Sequence, residues 1–186
     1  QALLGQSVLA WSIAAFRAAG ADQIIVVRAP DHAALAAAAS DGAVDFVDGG
    51  ATRTESVRAG LARAGKADIV LIHDAARPGV SSAMIQRLVQ EIEAGSPAVA
   101  PALPAADSLV RVDATGRVEA EIDRQGAMRV QTPQAFHGAT LRDAYAAADA
   151  GAVFSDDLSV TRASGVNAKI IPGDDRLMKI THPQDA

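Results

Sequence analysis

Ala-rich stretches with helical spacing alternate along this chain with short β-branched runs bounded by Gly, Asp or Pro, and that alternation restricts the fold more than any other feature. Strands are predicted over residues 23–27, 45–47, 69–73, 98–101 and 169–171. Several are continuously apolar, which is the pattern of strands covered on both faces. Helices are predicted over 8–19, 32–39, 54–64, 81–94 and 138–150, with Thr54 as the cap of the third. The expectation is an α/β domain built on a mostly parallel sheet with helices on both faces.

Residues 105–126 break the rhythm. Two alternating runs, 108–112 and 118–122, flank Asp113-Ala114-Thr115-Gly116, the pattern of an inserted β-hairpin. Leu109, Val110, Val112, Val118, Ala120 and Ile122 are more apolar surface than an isolated ribbon leaves in water, so the arm is expected to pack on a partner. The 186 residues suit one domain. Cysteine is absent, which excludes disulfides, thiolate metal sites and thiol nucleophiles. A net charge of −5 argues against a general nucleic-acid surface, so any anion site is local. The longest apolar runs fall far short of the roughly 20 residues of a membrane span, and a cytoplasmic address is expected.

Four segments carry polar side chains where chemistry is expected. The apolar run Val70-Leu71-Ile72 ends in His73-Asp74-Ala75-Ala76-Arg77-Pro78, and ligands of α/β sheets bind outside the carboxyl ends of strands. By residue chemistry alone, Asp74 and Arg77 form either a cap with its salt pair or a metal–phosphate and anion site; His73 is read as a packed strand-end residue. Asp48-Gly49-Gly50-Ala51-Thr52-Arg53-Thr54-Glu55-Ser56 is either a plain turn or a place where a base or ribose approaches the backbone. The third segment is Ile122-Asp123-Arg124 with Arg129-Val130-Gln131-Thr132-Pro133-Gln134, in which Arg124 alone reads as a solvated arm residue. The fourth is Phe154-Ser155-Asp156-Asp157 with Gly173 to Thr181, where the paired acids read as a capped helix start rather than a metal site.

Together, in order and spacing, these segments resemble the 2-C-methyl-D-erythritol 4-phosphate cytidylyltransferase family: His-Asp-Ala-Ala-Arg-Pro, Gly-Gly-x-x-Arg-x-x-Ser-Val-x-x-Gly-Leu, Asp-Arg with Gln-Thr-Pro-Gln, and a hydroxyl-Asp-Asp element followed by a Lys-Ile-Thr element. The resemblance covers essentially the whole chain. It implies a Rossmann-like, nucleotide-diphospho-sugar transferase-like fold whose arm joins a homodimer. It also implies transfer of CMP from CTP to 2-C-methyl-D-erythritol 4-phosphate, assisted by Mg²⁺ or another divalent cation. Carried over residue by residue, Gly49, Gly50, Ser56, Asp74 and Ala75 meet the nucleotide, and Asp74 the metal. Arg77, Arg124 and Lys179 hold the acceptor, with Ser108, Thr132 and Ser155 adding hydroxyl contacts. This chain departs from the family at Ala51, Ser108, Ser155 and Leu177-Met178, keeping the hydroxyl at Ser108 and Ser155 and the cation at Lys179. The family's opening strand and Gly-rich phosphate loop do not match any residue here and are expected ahead of Gln1.

Three alternatives accompany this reading. A pentitol-phosphate cytidylyltransferase, acting for example on ribitol 5-phosphate, shares the fold; a noncatalytic, oligomer-forming relative is of another class. The run Phe154-Ser155-Asp156-Asp157-Leu158-Ser159-Val160 also resembles forms fused to a cyclodiphosphate synthase, whose metal motif is not among these residues. A nicotinamide dehydrogenase is disfavoured because no Gly-x-Gly-x-x-Gly follows a strand.

Overall fold

Side-chain caps set most of the helix starts in the computed structural model, which describes residues 2–38, 44–149, 152 and 154–185. A ribbon of β1 (Ala2–Leu3) and β2 (Gln6–Ser7) leads into α1 (Val8–Ala18), whose cap Ser7 accepts from the Ala10 amide. Then come β3 (Ile25–Arg28), α2 (Ala33–Ala38), β4 (Asp45–Asp48), α3 (Arg53–Ala64), β5 (Ile69–Ile72) and α4 (Ser82–Glu93). The second half holds β6 (Ala98–Pro104), the hairpin β7 (Leu109–Val112) and β8 (Val118–Ile122), and β9 (Met128–Val130). It ends with β10 (Gln134–His137), α5 (Gly138–Ala147), α6 (Asp157–Ala163) and β11 (Lys169–Pro172).

The main sheet runs β11-β6-β10-β5, with β9 also on β6. β11 is parallel to β6, and β3 is parallel to β4 in a separate pair. β10 lies antiparallel to both β5 and β6, so those two share one direction. Side-chain alternation then divides the interior in two. Ile69 and Leu71 of β5, Val99 of β6 and Ala135 of β10 pack with α4 residues Met84, Ile85, Leu88 and Ile92 and with Phe16 of α1. Val70, Ile72, Ala98 and Phe136 face the other way, onto Leu61 of α3, Leu141 and Tyr145 of α5 and Val160 of α6. Helices on both faces of an α/β sheet are thus what continuous apolar strands required.

Several local readings change. β9, β10, α6 and the β1–β2 ribbon are additions; their runs are too short or too polar for periodicity to find. α5 stops at Ala147 because Ala148 is extended, and a 3₁₀ turn, Pro30–His32, precedes α2. Residues 39 and 150, the predicted ends of two helices, lie outside the described residues, as do Gln1 and Ala186. The cap of α3 is Thr52, not Thr54: its side chain accepts from the Glu55 amide while the Glu55 carboxylate accepts from the Thr52 amide, a reciprocal box that Thr54, already inside the helix, cannot make.

The arm is a true hairpin, pairing Leu109 with Ile122 and Val112 with Val118, and closed at its base by Ala105 N donating to Ala127 O at 3.0 Å. Asp113 Oδ1 accepts from the Thr115 and Arg117 amides, which fixes the turn. Every residue of β7 and β8 is exposed within the single chain. Thr52→Ala should cost about 0.5–2 kcal/mol in denaturant unfolding, whereas Thr54→Ala should lack that capping loss.

Candidate active site

The carboxyl end of β5 delivers Asp74 to a cluster of cations. Lys179 Nζ lies 3.0 Å from Asp74 Oδ2, and Arg77 Nε lies 3.9 Å from the same oxygen. Two further bonds join the two segments, and a third closes a turn within the first. Arg77 Nη1 donates to Leu177 O at 2.6 Å, the Ile180 amide donates to Ala76 O at 2.8 Å, and the Arg77 amide closes a turn onto Asp74 O at 2.9 Å. Arg77 is mostly buried and Lys179 half exposed, so Arg77 is a fixed donor and Lys179 a movable one. Burial lowers the Arg77 pKa from its ordinary value, partly offset by the Asp74 charge. Ala75 is held from the other side, its carbonyl within 3.5 Å of Ser12 Oγ on α1.

His73 packs beneath this loop. Its ring meets Phe16 at a centroid distance of 5.5 Å, Nδ1 is 3.1 Å from Thr132 Oγ1, and Nε2 is 3.5 Å from Ser12 Oγ. Burial pushes its pKa down to about 4 against the opposing pull of Asp74, so the imidazole is neutral at physiological pH. That agrees with a packed residue. The Thr132 hydroxyl accepts from the Asp74 amide at 3.0 Å, which pins the backbone of the carboxylate.

Gly49 and Gly50 follow β4 as Asp74 follows β5. Their lack of side chains has a local cause: a Cβ on Gly49 would lie 2.6 Å from Ser56 Oγ, and one on Gly50 would lie 2.3 Å from Glu55 Cβ. Ser56 Oγ donates to Thr52 O at 2.9 Å. The glycines therefore let the chain fold against the first turn of α3, leaving their backbone beside Ser56.

The remaining candidates are not drawn into the Asp74 cluster. Ser108 and Arg124 are exposed on the arm, where Arg124 Nη1 donates to Ala106 O at 2.5 Å. Among the described residues, no hydrogen bond or ion pair joins either to Asp74, Arg77 or Lys179. Ser155 Oγ lies 2.8 Å from Ser159 Oγ and lines a cavity of about 560 Å³ with Phe154 and Arg162, to which the Asp74 cluster does not contribute.

Sequence reasoning does not pair Arg53 with Asp157, and the structure joins them. The Arg53 guanidinium grips both oxygens of Asp157, whose side chain is fully buried, and Tyr145 donates to the same carboxylate. Burial and the Asp157 charge raise the Tyr145 pKa far above its ordinary value, keeping it a donor. This ties the Gly49–Ser56 loop to α5 and α6. The arginine in the Gly-Gly-x-x-Arg pattern is visible, but nothing in sequence connects it to an acid 104 positions away. Asp156 caps α6 as expected, accepting from the Ser159 amide.

No group of three metal-ligating side chains occurs among the described residues. Asp74 alone still suits magnesium, which commonly takes one or two carboxylates and fills its remaining positions with substrate phosphates and water. No described helix is long and apolar enough to cross a membrane.

The α/β sheet thus has a carboxylate and cations outside a strand's carboxyl end, where such sheets bind their ligands. All of residues 1–186 match the family described as 2-C-methyl-D-erythritol 4-phosphate cytidylyltransferase, and the chain belongs to it. It is 42% identical to the protein of that name from Cereibacter sphaeroides, covering 100% of this chain and 83% of the relative. It is 45% identical to the bifunctional enzyme IspD/IspF of Dinoroseobacter shibae, covering 96% of this chain and 44% of that one, so the chain spans less than half of that relative's length. The solved cytidylyltransferase of Thermus thermophilus superposes with a TM-score of 0.85 at 36% identity, covering 97% of this chain and 86% of that one.

The buried neutral His73 sets a pH expectation. Its folded pKa near 4 lies below the ordinary 6.5, so the unfolded chain takes up the proton first as pH falls. Stability that is intact above pH 6.5 is progressively lost toward pH 4, by up to about 3 kcal/mol. His73→Asn should remove that part of the slope in chemical denaturation at stepped pH; an unchanged slope would contradict the assignment.

Proposed function

We propose that the protein containing this chain transfers CMP from CTP to 2-C-methyl-D-erythritol 4-phosphate and releases pyrophosphate in the non-mevalonate route to isoprenoids. The observation that carries this reading is the Asp74–Arg77–Lys179 cluster at the end of β5, in the fold and family reported above. An oxygen of the acceptor phosphate attacks the α-phosphorus of CTP in line. A new P–O bond forms there as the bond to the α–β bridging oxygen breaks, and pyrophosphate leaves with that electron pair. No covalent nucleophile is needed, so the chain's task is to position two polyanions and compensate charge.

Arg77 presents a fixed guanidinium and Lys179 a mobile ammonium to the acceptor, with Thr132 beside Asp74 and Ser155 as a further hydroxyl. Gly49, Gly50, Ser56 and Ala75 offer backbone and hydroxyl contacts to the cytidine nucleotide. Magnesium held by Asp74 would supply charge neutralisation at the phosphates. The names of the relatives support methylerythritol phosphate over a pentitol phosphate as acceptor, and the retained cluster supports an enzyme over a noncatalytic relative. Dependence on CTP supports a cytoplasmic address.

The arm supports a two-fold homodimer. Leu109, Val110, Val112, Val118 and Ile122 are 37–63% exposed in the single chain, and a second copy covers them while the partner subunit's Ser108 and the partner subunit's Arg124 complete the site.

Two experiments on the full-length protein test these readings. Arg77→Ala and Lys179→Ala should each lower kcat/KM for the acceptor by about 10- to 100-fold, the loss of one charge-assisted contact, with much less effect on the CTP KM. Equal loss for both substrates contradicts the assignment. Mixing Arg124→Ala and Asp74→Ala chains should restore activity through mixed dimers with one intact site; two variants that stay inactive after demonstrated subunit exchange sink the shared site.

A further inference from the structure

Between β9 and β10 the chain runs Gln131-Thr132-Pro133 into Gln134, and three of these four side chains are buried polar groups directed at three different loops. Thr132 holds Asp74, as described. Gln131 makes a two-way pair with the backbone of Asp174: its Nε2 donates to Asp174 O at 2.8 Å, and its Oε1 accepts from the Asp174 amide at 3.1 Å. The contact is so close that a Cβ on Gly173 would lie 2.3 Å from Gln131 Oε1. Asp174 opens the 3₁₀ turn Asp175–Leu177 that leads directly to Lys179. Gln134, 1% exposed, makes a matching pair at the start of α6. Its Nε2 donates to Asp156 Oδ2 at 3.0 Å and its Oε1 accepts from the Leu158 amide at 3.0 Å, which fixes the turn carrying Ser155.

We infer that Gln131 and Gln134 are positioning residues: their buried amides set Lys179 and Ser155, respectively, in register with the Asp74 that Thr132 holds. The inference rests on the cytidylyl-transfer reading for its kinetic consequence only. Both glutamines use both halves of the amide, donor and acceptor, so shape alone cannot replace them. Three loops that are remote in sequence thereby share one rigid reference, and a displacement of about 1 Å at a reacting group costs on the order of 100-fold in rate.

Gln134 permits a donor–acceptor exchange. Gln134→Glu keeps the shape but turns the donor into a second acceptor facing Asp156, and Asp156→Asn then supplies the missing donor. The side-chain amide introduced by Asp156→Asn retains the oxygen that caps α6. In the full-length protein, in mildly alkaline buffer where the new carboxylate is ionised, Gln134→Glu should lower acceptor kcat/KM by about 10-fold or more, with the CTP KM within about threefold of the parent. The Gln134→Glu/Asp156→Asn double variant should recover most of that loss. Gln131→Glu, whose donor faces a backbone carbonyl, should show the same kinetic split and no recovery with Asp156→Asn.

Amide exchange on the ligand-free protein supplies a readout that does not involve the reaction: exchange at Leu158 should quicken in Gln134→Glu and slow again in the double variant. If the parent transfers no CMP, the proposed reaction fails and the exchange pattern alone decides this inference. If the parent is active, acceptor kinetics unchanged in Gln134→Glu, or a double variant that recovers neither kinetics nor protection, overturns it. Should Gln134→Glu fail to fold, the double variant decides: parent-like acceptor kinetics support the positioning role, and depressed kinetics with a folded protein refute it.

Discussion

The reversed strand β10 is the constraint on which the rest depends. It lies between β5 and β6, so it must satisfy backbone partners on two sides while packing Ala135 into one core and Phe136 into the other. Because it runs against β5, its beginning lies where β5 ends: Gln134 pairs with Ile72, the last residue of β5, while Ala135 and Phe136 pair with Val99 and Ala98 at the start of β6. The residues ahead of β10 are thereby carried to the edge of the sheet where Asp74 emerges. An all-parallel arrangement would have sent them to the opposite edge. Thr132 and the two glutamines owe their position at the site to that reversal.

From this follows a division of labour in the polar interior. The Asp74 loop, the approach to Lys179 and the start of α6 are irregular segments that would otherwise leave partly buried backbone groups unpaired. Side-chain amides and a hydroxyl take the place of a sheet partner there. On the other flank, Arg53, Asp157 and Tyr145 perform a similar service with charge, fastening the Gly49–Ser56 turn to helices far along the chain. An ion pair with one fully buried member is weak grounds for stability but strong grounds for geometry, since removing Arg53 strands the buried Asp157 carboxylate.

What the sequence discloses follows physical signal strength. The apolar run of β5 ending in His73-Asp74 is plain because a two-sided strand and a polar stop contrast sharply, and the 113–116 turn is plain because its residues have one common use. β10 is hidden: Gln134-Ala135-Phe136-His137 is short, polar at both ends and without alternation, yet its first three residues are buried. Thr54 competes with Thr52 as a cap because both hydroxyls lie near the helix start, and only the reciprocal bond with Glu55 separates them. Ser108 and Arg124 are legible as arm residues from the alternation around the 113–116 turn, and their site roles come only through resemblance; among the described residues neither has a partner at the Asp74 cluster, because both stand on the exposed ribbon.

The pairing of Lys179 with Asp74 also governs how an anion arrives. Lys179 carries its own counterion, so a phosphate that binds it in the proposed reaction would replace a carboxylate already in place. Capture is thus an exchange of one anion for another, its driving force the difference between two attractions that dissolved salt weakens together. Such a site would discriminate by the geometry and charge density of the incoming group rather than by charge alone, and in the proposed reaction the released carboxylate would be the one that holds the metal ion.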